Sequence, residues 1–433
     1  MRWFPKSEQD TSKSPAVSSL VNSPRGFGRT FQALNYQAFL FLWMGEIGHA
    51  FGLWIWMIAL PLLVLDLTNS AVHLGAVMAV RTIPAMAFGM VAGLVADTFN
   101  RKVVLLGAKV GAVIVGGVFA ILVLGDWIEL WHVYVLSLFR GMVMAFDQPA
   151  RRAIVPSILP ENLVTNALAL SMGSIQVTRI AGAAGAGIMV ATLGMGATFL
   201  TSAIMYVFAF IFTALVKVPD YERSGYQGPR RMLDDFRAGF HFAWTTPAVR
   251  AILIVALAYF TFGASFMQVF APLLAKGVLN IGDAGFGYMM AMTGVGGMFG
   301  ALVLATINPS ERRGTLLIGA ILAFGVVLVL FSLATYTMVI PLVFFLVSLL
   351  GVGQSVVFPL VNGVLLNAAP LGMRGRVMGL LTLDRAMISF GSMIAGFMAA
   401  SMGAQLAQIS FGIACIVAAL LMWTLVPPLR RVD

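Results

Sequence analysis

The sequence predicts an all-α membrane protein of twelve transmembrane helices in two pseudo-symmetric six-helix halves, with both termini cytoplasmic. Three observations carry the prediction. Of 433 residues, 60% are hydrophobic and 10% charged, whereas soluble domains carry about 25% charged residues because their surface meets water. Apolar runs of the length that spans hydrocarbon, about 20 residues, recur along the chain. Segments of the first half also return in the second at a near-constant offset.

The runs cover 38–64, 72–96, 103–125, 130–149, 163–192, 196–217, 249–275, 285–307, 314–335, 338–366, 375–401 and 404–427. Backbone polar groups in lipid must be satisfied within the segment, so these are helices. Orientation follows from Lys and Arg, which concentrate on the cytoplasmic side. With the N-terminus inside, 21 of the 27 basic residues fall in inner segments, Lys276 alone falls in an outer loop, and Arg81, Lys109, Arg140, Arg179 and Arg385 lie within spans. The net charge of +10 is thus topogenic, and no nucleic-acid partner is expected.

Residues 1–30 are polar and basic without an apolar stretch or a small-residue cleavage site, so they read as a cytoplasmic tail and not a signal peptide. The first half then covers 31–217 and the second 249–433. The linker, 218–248, turns amphipathic through Met232, Leu233, Phe236, Phe240 and Phe242, as a helix lying on the inner surface would. Pro149 and Pro160 repeat as Pro359 and Pro370. Gly75, Arg101 and Gly107 repeat as Gly287, Arg313 and Gly319, and Pro61-Leu62-Leu63 as Pro272-Leu273-Leu274. Such duplication is a transporter architecture, with the substrate site between the halves near the midplane.

Two groups of residues draw attention. Ionisable side chains inside a span cost at least about 2.5–3.5 kcal/mol on insertion scales and therefore face the bundle interior. Glu46 and His49 stand three apart on one helical face. Burial disfavours the charged form of each, so the pair serves either as a proton-exchange site or as a satisfied polar contact fixing the first helix. Arg81, Arg140, Arg179, Asp384 and Arg385 are the remaining candidates for proton coupling or substrate contact. Basic groups outnumber acidic ones in the spans, which suits an anionic substrate. For each arginine singly, a structural role held by carbonyls and buried acids stays open. Lys109 lies near an inner end and is expected to snorkel, and the lone Cys415 to be a core thiol. No metal cluster, phosphate-binding loop or nucleophile triad is visible, so neither enzyme activity nor a cofactor is expected.

Gly93-Leu-Val-Ala-Asp97-Thr-Phe-Asn-Arg101-Lys102 resembles the loop signature of the major facilitator superfamily, with Asn100 in place of a glycine and able to adopt its left-handed conformation. The opening Phe31 to Phe39, Leu42-Trp43-Met-Gly45 and Leu60 to Leu63 resembles the bacterial drug:proton antiporter-3 group of enterobactin exporters and macrolide efflux proteins. Asp147-Gln-Pro149-Ala150-Arg151 and Pro370 to Val377 fit it too. The resemblance implies an inner-gate latch of Gly93, Asp97, Arg101, Lys102, Asp147, Arg374 and Arg376. It also implies proton-coupled export of a drug-like or siderophore-like molecule, anionic or lipophilic, by a monomer in the bacterial inner membrane. Arg179-Ile-Ala-Gly182-Ala183-Ala-Gly185-Ala-Gly187 lacks the proline of the antiporter motif, so its small residues are read as helix-packing surface. An uncoupled facilitator and a non-transporting sensor or assembly protein remain the alternatives.

Overall fold

The computed structural model describes residues 31–218, 228–306, 313–370, 372–380 and 383–425. Among them every regular element is helical. The chain enters through a 3-10 turn, Gln32–Asn35, and continues as α1 (Gln37–Thr68), α2 (Ala71–Thr98), α3 (Arg101–Leu124) and α4 (Leu130–Ile158). Next come α5 (Glu161–Leu215), α6 (Gly228–Thr245), α7 (Pro247–Val278) and α8 (Gly282–Thr306). The chain closes with α9 (Arg313–Thr337), α10 (Ile340–Ala368), α11 (Arg374–Leu380), α12 (Leu383–Met402) and α13 (Ala404–Leu425). Eight of these helices are long and apolar enough to cross a bilayer. The 55-residue α5 is one of the eight, and it is broken by Gly194 at φ 83°, ψ 172°. That break falls in the gap between the two spans read from the sequence.

The connections show a simple alternation. Those at 69–70, 125–129, 194, 279–282, 338–339 and 403 each turn on a positive-φ residue, namely Asn69, Asp126, Gly194, Asn280 with Gly282, Met338 and Gly403. The described connections between them, at Phe99–Asn100, Leu159–Pro160 and Ala369–Pro370, use no such residue. Antiparallel neighbours therefore meet in tight left-handed turns at one end of the bundle, the tight-turn end. Cα chirality makes these positions costly for most residues, so Gly and Asn recur there.

Several local expectations are revised. Asn100 is not left-handed: at φ −59°, ψ 114° it is the N-cap of α3, and its side-chain oxygen accepts from the Lys102 N–H at 2.9 Å. The fourth helix does not stop at Pro149 but runs to Ile158 with Pro149 and Pro156 inside it. Lipid-phase helices tolerate proline where neighbours satisfy the freed carbonyls. The seventh is α-helical only over Pro247–Ala258 and then passes through π-helical turns at Tyr259–Gly263, Phe266–Phe270 and Leu274–Val278. The amphipathic linker is helical as α6 and packs on α7 and α11, with Gly239 against the Arg376 backbone.

Two helix crossings join the first and second parts of the chain. A Cβ on Gly187 of α5 would lie 2.7 Å from Gly287 Cα of α8 and 2.8 Å from the Asp283 carbonyl. A Cβ on Gly75 of α2 would lie 2.5 Å from the Ser392 carbonyl and 2.9 Å from Gly396 Cα of α12. Both crossings are near the tight-turn end, and only glycine permits such backbone approach. Gly287→Val should therefore lower stability by on the order of 1–3 kcal/mol, the usual cost of overpacking. The fall should appear as a lower unfolding midpoint of detergent-solubilised protein, whereas Gly319→Val, with open space at its Cβ position, should leave it unchanged.

Candidate functional site: a buried charge network and three interior arginines

Close helix packing around α1 brings ionisable side chains from α1, α3, α4 and α5 together. Gly45 and Gly48 of α1 face Thr213, Phe208 and the α5 backbone, which seats α1 directly on α5. On the adjoining face of α1, Asp147 of α4 is 2% exposed, and its Oδ1 accepts from Lys109 Nζ at 2.5 Å. Lys109 does not snorkel; it is 1% exposed and points inward from α3. The other Asp147 oxygen lies 3.7 Å from His49 Nε2 and 3.6 Å from Arg151 Nε. Arg151 in turn donates to Glu46 Oε1, and the Ser171 hydroxyl of α5 donates to Glu46 Oε2 at 2.7 Å. Two carboxylates thus meet two cations, with the His49 ring between Asp147 and the ring of Tyr206, whose centroid is 5.4 Å away.

Glu46 and His49 share this network without bonding each other: each has its own partner from α4. Asp147 belongs to it as well. The proposed latch set therefore divides. Lys102 donates to the Ala214 carbonyl at 2.7 Å and Arg374 to the Ala369 carbonyl at 3.3 Å. Arg376 approaches Met373 Sδ at 3.6 Å. Arg101 opens α3. Gly93 and Asp97 lie in α2, and their side-chain surroundings fall outside the described residues, as do those of Asp384 and Arg385 in the first turn of α12.

Three further arginines lie in the interior with no carboxylate partner among the described residues. Arg140 of α4 is 1% exposed; it donates to the Tyr206 hydroxyl, and its guanidinium lies 4.3 Å from the Tyr206 ring centroid and 5.9 Å from that of Trp56. Arg81 of α2 lies 5.5 Å from the same Trp56 ring and donates to Gln268 Oε1 of α7 at 3.2 Å. Gly141 lets α4 close on the α2 backbone at the Arg81 carbonyl, which is why these two cations share one indole. Arg179 of α5 donates to Thr293 of α8 at 2.6 Å and Gln354 of α10 at 2.9 Å, with its guanidinium 5.2 Å from the Trp54 ring centroid. Nearby, Gln176 donates to Ser355 at 3.2 Å. Arg81, Gln176 and Arg179 thus bridge helices of the two halves of the sequence. At the tight-turn end Lys276 of α7 adds an ion pair with Asp66 of α1 and lies 3.5 Å from Asp283 of α8.

Tyr206, Gln268, Thr293, Gln354 and Ser171 were missed by sequence reasoning. They are ordinary polar residues in apolar runs, and nothing but the fold separates them from helix-bonded hydroxyls. Lys109 was read by its distance from a helix end, which says nothing of the direction it faces.

A family model described as "Transmembrane secretion effector" matches residues 29–433. The chain belongs to that family, within the major facilitator superfamily. Relatives include the staphyloferrin A transporter of Staphylococcus aureus, 26% identical over 79% of this chain and 85% of the relative. The multidrug efflux pump Tap of Mycolicibacterium fortuitum is 25% identical over 81% and 86%. Macrolide efflux protein A of Streptococcus pyogenes is 21% identical over 68% and 73%. Among solved structures, a nucleoside transporter superposes with TM-score 0.77 over 90% of this chain and 100% of its own at 13% identity. A D-xylose–proton symporter gives 0.72 over 91% and 99% at 14%. The family and its relatives are transporters and not enzymes, and the chain is a multi-pass membrane protein of the major facilitator type.

The charge network yields a direct test. Removing one partner of a buried pair strands the other, at about 3–5 kcal/mol, whereas replacing both with neutral groups costs far less. Asp147→Asn and Lys109→Met should each lower the unfolding midpoint sharply, and the double variant should recover most of the loss.

Proposed function

We propose that this protein is a proton-coupled exporter of an amphipathic, drug-like or siderophore-like small molecule. It works by alternating access in the bacterial inner membrane, as two six-helix halves (31–217 and 249–433) with both termini cytoplasmic. The observation that carries the reading is the network of Glu46, His49, Asp147, Lys109 and Arg151. Two carboxylates and an imidazole lie in the interior of the bundle, in the same half as Arg81 and Arg179, which bridge the halves. A carboxylate released from Arg151 or Lys109 can take a proton, and loss of that proton returns it to its cation; exchange between those two states ties protonation to helix position. The relatives named as drug efflux proteins and as a staphyloferrin A transporter support the substrate class.

The expected result is substrate-dependent proton movement in proteoliposomes under an imposed substrate gradient, lost in Glu46→Gln. One feature favours a second reading, an uncoupled facilitator: both Glu46 oxygens already have partners, Arg151 and Ser171. Substrate flux without proton flux in the wild type would decide for it.

Alternating access also requires the tight-turn end to part. In a Cys415→Ala background, Asp66→Cys with Lys276→Cys should crosslink with a short bis-methanethiosulfonate reagent, whose length replaces the reach of the lysine. Crosslinking should stop transport, and reductant should restore it; full transport by the crosslinked protein would sink the alternating-access reading.

A further inference from the structure

The network around Asp147 is balanced, but three interior arginines are not, and two of them, Arg81 and Arg179, bridge the halves. Among the described residues Arg81, Arg140 and Arg179 have neutral partners only: Gln268, Tyr206, and Thr293 with Gln354. Each is faced by an aromatic ring, Trp56 for the first two and Trp54 for the third. Arg140 keeps two buried N–H groups, Nε and Nη1, with no acceptor, and Arg179 keeps Nε. Among the described residues the buried acids Glu46 and Asp147 are already committed, to Arg151 and Lys109 respectively. Neither of those two acids is paired with Arg81, Arg140 or Arg179.

An unmatched cation in a low-dielectric interior is costly, and a guanidinium is built to take a carboxylate through two parallel N–H donors. A cationic substrate would add to the excess positive charge, whereas a substrate with two or more anionic groups would remove it. The indoles of Trp54 and Trp56 supply flat apolar surface beside those donors for the rest of the molecule. We infer that Arg81 and Arg179, with Arg140 beside Arg81 on the shared Trp56 ring, form the substrate site, and that the substrate is a polyanion bearing two or more carboxylate groups on a partly apolar or planar frame. The anion would displace the neutral acceptors: Arg81 gives up Gln268 and Arg179 gives up Gln354. Those two hydrogen bonds join the halves, so occupancy also changes the contacts that hold this conformer together.

The inference rests on the transport reading and is tested by binding, independently of flux. Purified protein in nanodiscs is titrated calorimetrically with citrate, benzene-1,3,5-tricarboxylate, benzamide and tetraphenylphosphonium. The expected result is binding of the two tricarboxylates, and none of the neutral amide or the cation. Arg81→Gln and Arg179→Gln should each weaken tricarboxylate binding at least ten-fold, while Arg81→Lys, which keeps the charge, should weaken it less than Arg81→Gln. The unfolding midpoint of each variant establishes that it is folded before it is titrated. Failure of both tricarboxylates to bind folded wild type overturns the inference, as does tetraphenylphosphonium binding that both Gln variants leave unchanged. Proton-coupled pumping of tetraphenylphosphonium would overturn it while leaving the antiporter reading intact. Tricarboxylate binding without proton flux would do the reverse.

Discussion

The constraint on which this molecule depends is the cost of charge in a medium without water. An ion buried alone is expensive, and the mutual attraction of a pair offsets that cost only with close geometry and further hydrogen bonds. Lys109 and Asp147 meet the condition at 2.5 Å, with His49 and Arg151 on the second carboxylate oxygen. Four helices of the first half must be correctly placed for that to hold, because the participants come from α1, α3, α4 and α5. The close packing of α1 on α5 at Gly45 and Gly48 and of α4 on α2 at Gly141 follows the same logic. Small residues let backbones approach, in a setting where apolar burial gives little preference for helix over lipid.

What was legible in the sequence was what lipid imposes on composition. Long apolar helices, the break near residue 194 and an amphipathic linker all leave compositional marks, and the described helices follow them. Duplication was legible too, and the structure supplies its reason at one position: Gly75 and Gly287, paired by the repeat, each sit at a backbone crossing, with Gly396 and Gly187 respectively. Partner choice was not legible. Glu46 and His49 share a helical face, so proximity pointed to each other; their actual partners come from α4, a hundred residues away. Lys109 shows the same limit, since a lysine near a helix end can snorkel or turn inward with no change in local sequence. The neutral acceptors around the arginines leave no mark at all.

The two kinds of charged cluster occupy different mechanical positions. The acid-containing network joins helices of one half, so it can change protonation while that half moves as a body. The arginine contacts to Gln268, Thr293 and Gln354, like Lys276 with Asp66, join helices of opposite halves. In the proposed alternating-access cycle, contacts of that second kind would break whenever the halves rock. Neutral hydrogen bonds suit the task, because their net contribution is about 0.5–1.5 kcal/mol each, small enough to be exchanged for contacts to a bound molecule.

This difference bears on why the interior arginines are not simply neutralised by resident acids. A buried guanidinium–carboxylate pair between the halves would lock them, since breaking it costs about 3–5 kcal/mol. Ring contacts to Trp54, Trp56 and Tyr206 stabilise the cations by about 2 kcal/mol each when desolvated, and they do so from within the same half of the chain for all three arginines. The cations are therefore held by groups that travel with them, and only their weaker bonds reach across. On the proposed reading, a charge kept available in this way, held by aromatic faces and satisfied by amides and hydroxyls, would favour the state in which an anion has entered, and would link occupancy of the interior to the parting of the halves.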